Sequence, residues 1–280
     1  MSRRATIPGF LFLLAFVVAG CGSKHETART DARLAGDPAL CDTTYEAVED
    51  GSFGPFAGDS TRATATGAWA ATREGACERV SLALLRGDGA PQRPASPLLG
   101  AVLRSYGIVR VVIPGELDAV ADPDSAIGSP LVRAAYVVHA RDGSWYEDVH
   151  LAQPAIVRLV ALQKPARIGI DLGPGGGAIP TPAPRARNVV VLEPRAGAVT
   201  YPLVIRGYGR TFEANVIARL SVGGKVAGQT HGTAADYATT WGEFELTIAK
   251  GPPGDVDLFV GEESAEDGTP VGVTIPLHFP

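Results

Sequence analysis

Beyond residue 67 the apolar residues of this chain recur at every second position, and glycine or proline interrupts each run before it grows long. In Phe212 to Val222 (FEANVIARLSV), Phe212, Ala214, Val216, Ala218, Leu220 and Val222 occupy alternate positions. Successive side chains of a strand point to opposite faces, so this spacing predicts a strand with one buried face and no helical stripe. Glu78 to Leu84 and Gly242 to Ile248 follow the same in-out rule, the latter through Phe244, Leu246 and Ile248. Val102–Ile113, Ala134–Ala140, Ala155–Leu162 and Arg167–Leu172 are further extended runs. Pro114-Gly115, Asp142-Gly143, Lys164-Pro165 and Gly223-Gly224 supply the turns between strands. The 34 glycines and 22 prolines suit such a chain. The expectation is an all-β protein.

Two β-rich blocks stand out, 67–172 and 188–280. Between them residues 173–187 (GPGGGAIPTPAPRAR) read as a Gly/Pro-rich linker, extended where prolines alternate. Residues 21–66, rich in Ala, Gly, Thr, Ser and Asp, read as a tether. The second block offers seven short strands: Val189–Leu192, Leu203–Tyr208, Phe212–Val222, Lys225–Thr230, Gly242–Ile248, Asp255–Gly261 and Val271–Phe279. That density of strands is the profile of an immunoglobulin-like sandwich, here without the cysteine–tryptophan–cysteine core of antibody domains.

Residues 1–20 read as an export signal. Arg3 and Arg4 give a positive start, and Phe10–Ala19 is an unbroken apolar run. As a helix that run spans only about 15 Å, half a bilayer core, so a signal peptide is expected in place of a membrane span. The run ends in Val18-Ala19-Gly20-Cys21, which resembles the lipobox of bacterial lipoproteins. The resemblance implies cleavage before Cys21, lipidation of its sulfur, and anchoring to a cell membrane or outer membrane on the extracytoplasmic side. Cys41 and Cys77 remain, and two cysteines in an exported protein suggest one disulfide.

The second block resembles the immunoglobulin-like domain of bacterial spore germination proteins. The residues that carry this are Pro194-x-x-Gly197-x-Val199, Pro202-Leu203, Gly207, Thr211-Phe212-Glu213-Ala214-Asn215-Val216, Gly242-x-Phe244, Val260-x-x-Glu263-Ser264 and Asp267-Gly268. The resemblance implies a non-catalytic extracytoplasmic module. The first block looks like an AMIN-type domain of envelope proteins, on Cys77-Glu78-Arg79-Val80, Trp145 to Val149 and Pro165 to Asp171; the stretch from Gly87 to Ser129 departs from that pattern. AMIN domains are associated with targeting to the cell wall.

Catalytic signatures are scarce. Gly173-x-Gly175-x-x-Ala178 matches a dinucleotide fingerprint, but Pro180, Pro182 and Pro184 forbid the helix whose N-terminus would hold the pyrophosphate. Asp122 and Asp124 hint at a calcium loop, yet its twelfth and sixth positions fall on Arg133 and Ile127. His139 and His150 flank the Asp142-Gly143 turn; with Glu147 and Asp148 they form the one constellation that a hydrolase or metal site would use. The pair Glu262-Glu263 lies near a turn with nothing to select it as glycosidic. Trp69, Trp145, Tyr146, Tyr237 and Trp241 are candidates for stacking on a sugar or peptide. Trp145 and Tyr146 are adjacent, so on a strand they face opposite ways and at least one is expected outside or at an interface. The net charge is −5 with no basic stripe, which excludes nucleic acid as a partner.

The functional expectation is a non-catalytic cell-envelope lipoprotein that needs no cofactor, lipidated at Cys21, with binding contacts at Trp145, Tyr146 and Trp241. Its partners are the membrane, through the lipid, and peptidoglycan or envelope proteins. The alternatives are a hydrolase or metal-dependent enzyme built on the 139–150 hairpin, and a purely structural spacer.

Overall fold

The computed structural model describes residues 29–30, 34–56, 63–86, 98–163 and 166–280; the expected export signal, residues 1–20, and Cys21 lie outside them. In chain order the strands are β1 (Arg29–Thr30), β2 (Gly51–Phe56), β3 (Ala63–Glu74), β4 (Cys77–Leu85), β5 (Leu98–Leu103), β6 (Ile108–Ile113), β7 (Gly115–Val120), β8 (Asp124–Ser125), β9 (Val132–His139) and β10 (Trp145–Leu151). They continue as β11 (Ala155–Gln163), β12 (Ala166–Pro174), β13 (Val189–Glu193), β14 (Gly197–Ala198), β15 (Leu203–Gly209), β16 (Asn215–Val222), β17 (Lys225–Thr233), β18 (Trp241–Ile248), β19 (Gly254–Glu263) and β20 (Pro270–Phe279). No α-helix occurs among the described residues: the protein is all-β.

Three sheets make two sandwiches. A six-stranded sheet, ordered β1-β3-β4-β12-β11 with β7 beside β3, covers the first block. A five-stranded sheet, β14-β20-β19-β16-β17, covers the second. Both lie against a single nine-stranded sheet, β13-β15-β18-β9-β10-β6-β5-β2, with β8 beside β9. The first core joins Trp69, Leu82, Ile168 and Ile170 to Val109, Val137, Trp145 and Val149. The second joins Val216, Leu220, Leu258 and Ile275 to Val191, Ile205 and Phe244. The in-out rule read from the sequence is therefore what fills both interiors.

Several boundaries differ from the sequence expectation. The stretch read as a tether contributes β2 and the start of β3, which pair with β5 and β4. The extended run 102–113 is broken at Arg104–Tyr106, where a tight turn ends on Gly107 at φ 67°. The linker is not free chain: Arg185 forms a bridge with Val190, and the Val191 amide donates to the Pro184 carbonyl at 2.9 Å. In the 212–222 run Ala214, Val216, Ala218 and Leu220 reach the core, the last three through β16; Val222 is exposed, and Phe212 sits before the strand begins.

The entry into the first sandwich is fastened by covalent and ionic links. Cys41 and Cys77 form a disulfide across 36 residues, their Cα atoms 6.1 Å apart. In the chain-entropy picture such a loop is worth about 3–4 kcal/mol. Beside it the buried Arg79 on β4 grips Asp171 on β12, Nε to Oδ1 at 2.5 Å and Nη2 to Oδ2 at 2.8 Å. Asp171 also accepts from the Cys41 amide, and Arg79 donates to the Pro38 and Ala39 carbonyls. Charge is tolerated here because each guanidinium nitrogen and each carboxylate oxygen has at least one partner.

Candidate functional site

The two sandwiches meet where β18 pairs in parallel with β9, Trp241 opposite Val138 and Gly242 opposite His139. The Thr240 hydroxyl donates to the Val137 carbonyl across the same joint. On the sheet face opposite the two cores, side chains of both blocks turn toward one another. Tyr136 lies 5.3 Å, ring centre to ring centre, from both Tyr208 and Trp241. Ile108, Val138 and Tyr146 from the first block complete this seam with Val190 and Leu192 from the second.

Polar groups are threaded through the seam. Arg110 holds Asp148 in a two-point bond, both contacts 2.8 Å, while its guanidinium stacks 3.7 Å over the Tyr146 ring. The Tyr146 hydroxyl donates to Glu243 of the second block. His150 bonds the Tyr208 hydroxyl. Burial, reinforced by the Arg195, Arg185 and Arg110 charges, pushes the His150 imidazole down to about 3, so it is neutral near neutral pH. Burial also raises the Asp148 carboxyl, against the pull of Arg110.

This geometry separates the four residues of the supposed hydrolytic or metal group. The β9–β10 register sets Trp145 opposite His139 and His150 opposite Ala134, so the two histidines sit at opposite ends of the hairpin. His139 stacks on Trp145, centroids 4.2 Å apart. Glu147 points into the first core, fully buried, with neither carboxylate oxygen hydrogen-bonded; Asp148 and His150 point the other way, into the seam. No cluster able to hold a metal occurs among the described residues, and Asp124 instead accepts from the Trp241 indole N–H at 3.2 Å.

The stacking candidates require a correction too. Trp145, Tyr146 and Trp241 are each at most 5 % exposed. Trp145 fills the first core, Tyr146 the seam, and Trp69 donates from inside the first core to the Asp122 carbonyl. Adjacent residues do face opposite ways, but both faces of β10 are covered, one by a core and one by the other block.

One open cleft, of about 720 Å³, lies along the seam with Trp241 in its wall. Phe212 and Tyr237 line it and are 62 % and 45 % exposed, unusual for aromatic side chains in a well-filled protein. Arg187 and Arg210 line it as well; both are exposed, and among the described residues neither is paired with a carboxylate. Asn188 and Thr211 lie against the same space, 5 % and 1 % exposed, and Asn188 Oδ1 and Thr211 Oγ1 have no hydrogen-bond partner.

The wall that carries Phe212 is held open by force. Glu213 and Ala214, neither of them glycine, adopt left-handed φ of 52° and 59°. Such conformations cost about 1–3 kcal/mol each and persist where surroundings impose them. Here Glu262 imposes them: its Oε2 accepts from the Phe212 amide and its Oε1 from Asn188 Nδ2, both at 2.5 Å. The turn swings the Phe212 ring out of line with β16. Period two assigned Phe212 to the inner face, so alternation concealed this residue; the Thr-Phe-Glu-Ala-Asn segment was visible only as part of a resemblance. Asn188 left no signal in the sequence.

No curated protein and no solved structure matches this chain. The C-terminal block does match a family: residues 188–269, which carry most of the cleft, form an immunoglobulin-like domain of the type described as the immunoglobulin-like domain of bacterial spore germination.

Proposed function

We propose that this protein is a non-catalytic lipoprotein of the bacterial envelope, fixed to a membrane through Cys21, that presents its two joined sandwiches to the cell wall. The observation that carries the reading is the seam cleft, where exposed aromatic rings and exposed guanidiniums converge without a nucleophile–base pair among them. That is equipment for holding a ligand. The lipobox-like Val18-Ala19-Gly20-Cys21 and the AMIN-like segments of the first block support the envelope setting. The divergence of His139, Glu147, Asp148 and His150 removes the constellation that favoured a hydrolase.

The test is co-sedimentation with purified peptidoglycan, alongside fractionation of cells expressing the unmodified chain and Cys21→Ser. The expected result is sedimentation with the wall and loss of membrane association in the variant. A chain that stays in the supernatant while capturing one envelope protein would transfer the role to protein–protein contact.

A further inference from the structure

We propose that β1 and residues 34–48 form a strap, fastened by the Cys41–Cys77 disulfide, that sets how far the body can stand from the membrane, and that a dithiol reductant lets it out. The inference rests on lipid attachment at Cys21 and adds to it a control over reach.

The strap is held along the six-stranded sheet. Arg29 and Thr30 pair with Ala70 and Ala71 of β3. Asp37 accepts from Arg167 of β12 at 2.9 and 3.0 Å. The Pro38 and Ala39 carbonyls and the Cys41 amide complete the Arg79–Asp171 pair, and the disulfide ties Cys41 to the first residue of β4. Val48 and Val157 of β11 exchange two backbone hydrogen bonds, each 2.9 Å. Arg29 lies eight residues past Cys21, a span of at most about 28 Å when extended. Gly51, where β2 begins, lies thirty residues past it, and that length extends to about 100 Å. Fastening thus decides between a body kept close to the bilayer and one free to stand several times farther away.

Undoing the strap asks little of the body. Within residues 34–48 Leu40 is the one buried apolar side chain; Leu34 is exposed and Val48 half-buried. The sheet beneath is complete without it: β4 lies between β3 and β12, and Arg79 and Asp171 stand opposite each other in that register. A segment that buries so little apolar surface opens at low free energy, so the covalent link is what keeps this one closed. Both cysteines are half-buried, within reach of a reductant. One thiolate of the dithiol attacks a sulfur of the disulfide to form a mixed disulfide, and the second thiolate displaces it. Cys41 and Cys77 leave as thiols carrying the two protons of the dithiol, which becomes a cyclic disulfide.

Hydrogen exchange of the full chain with and without dithiothreitol tests the strap. Peptides covering 34–48 are expected to lose protection on reduction while β4 and β12 keep theirs, and Cys41→Ser/Cys77→Ser should show the same pattern without reductant. Unchanged protection of 34–48 overturns the proposal, because the polar links alone then hold the strap. Loss of protection across β4 and β12 as well also overturns it, because the disulfide then holds the whole sandwich. Reach is read on the unmodified chain reconstituted into vesicles that contain a dansyl headgroup lipid. Energy transfer from the tryptophans is expected to fall on reduction; transfer that stays constant while 34–48 opens overturns the control over reach. A chain that does not associate with the vesicles removes the lipid anchor, and the control over reach with it, while hydrogen exchange still judges the strap.

Discussion

Glu147 and Asp148 are neighbours on one strand and have opposite fates. Asp148 faces the seam and is neutralised by Arg110; Glu147 faces an apolar core with no partner. Burial, with Asp148 adding to it, raises the Glu147 carboxyl well above its usual range. Its folded form keeps the proton to higher pH than its unfolded form. The contribution to stability is thus complete below about 4.5 and is lost as pH rises through the folded value. His150 behaves in the reverse sense. Its folded value near 3 lies below the ordinary 6.5, so its contribution is present above 6.5 and is lost as pH falls from there toward 3. Urea midpoints across pH 3–7 should separate the two. Glu147→Gln should remove the decline seen as pH rises above about 4.5, and Glu147→Met should stabilise at neutral pH by about 1–3 kcal/mol. His150→Phe should remove the decline on the acid side. Midpoints of Glu147→Gln that track the unmodified protein at every pH would show that the carboxyl has found a partner.

At the level of elements the joint between β18 and β9 rests on very little pairing, only two residues on each strand. Beside it, Gly242 leaves room for the loop that precedes β18. A Cβ at that position would come within 2.1 Å of the Asp236 amide nitrogen and 2.4 Å of its carbonyl oxygen. Gly242→Ala should therefore force the 234–240 loop away from β18 and cost about 1–3 kcal/mol, visible as a shifted Trp241 emission and a lower melting temperature. The strands themselves were largely legible in the sequence: β9, β11, β12, β15 and β18 to β20 fall on runs recognisable from alternation and turn chemistry. Their assignment to sheets was not. Local spacing reports which face of a strand is apolar but not what covers it: one of Trp145 and Tyr146 was expected outside or at an interface, and it is the second block that covers Tyr146. The cleft was least legible, because Asn188, Thr211, Tyr237 and Glu262 lie far apart along the chain and converge only once the second sandwich closes.

For the molecule as a whole, two cores share one sheet, and a third apolar cluster fills the angle between them. Polar links cross the same boundary: an ion pair from Arg141 to Glu245 at 3.5 Å and a hydrogen bond from the Tyr146 hydroxyl to Glu243. Calorimetry should accordingly show one unfolding transition for the described body, with equal calorimetric and van't Hoff enthalpies. Two resolved transitions would mean that the shared sheet does not couple the blocks.

The continuous sheet also bears on how such a protein can be dismantled or recombined. The second block detached from the first would bare the β18 backbone at Trp241 and Gly242, and would uncover Tyr208 and the indole beside it. An open strand end flanked by apolar rings invites pairing with foreign chains. Grafting this module onto another protein thus requires a replacement for the missing neighbour strand, and a block transplanted without one should clump where the parent stays dispersed.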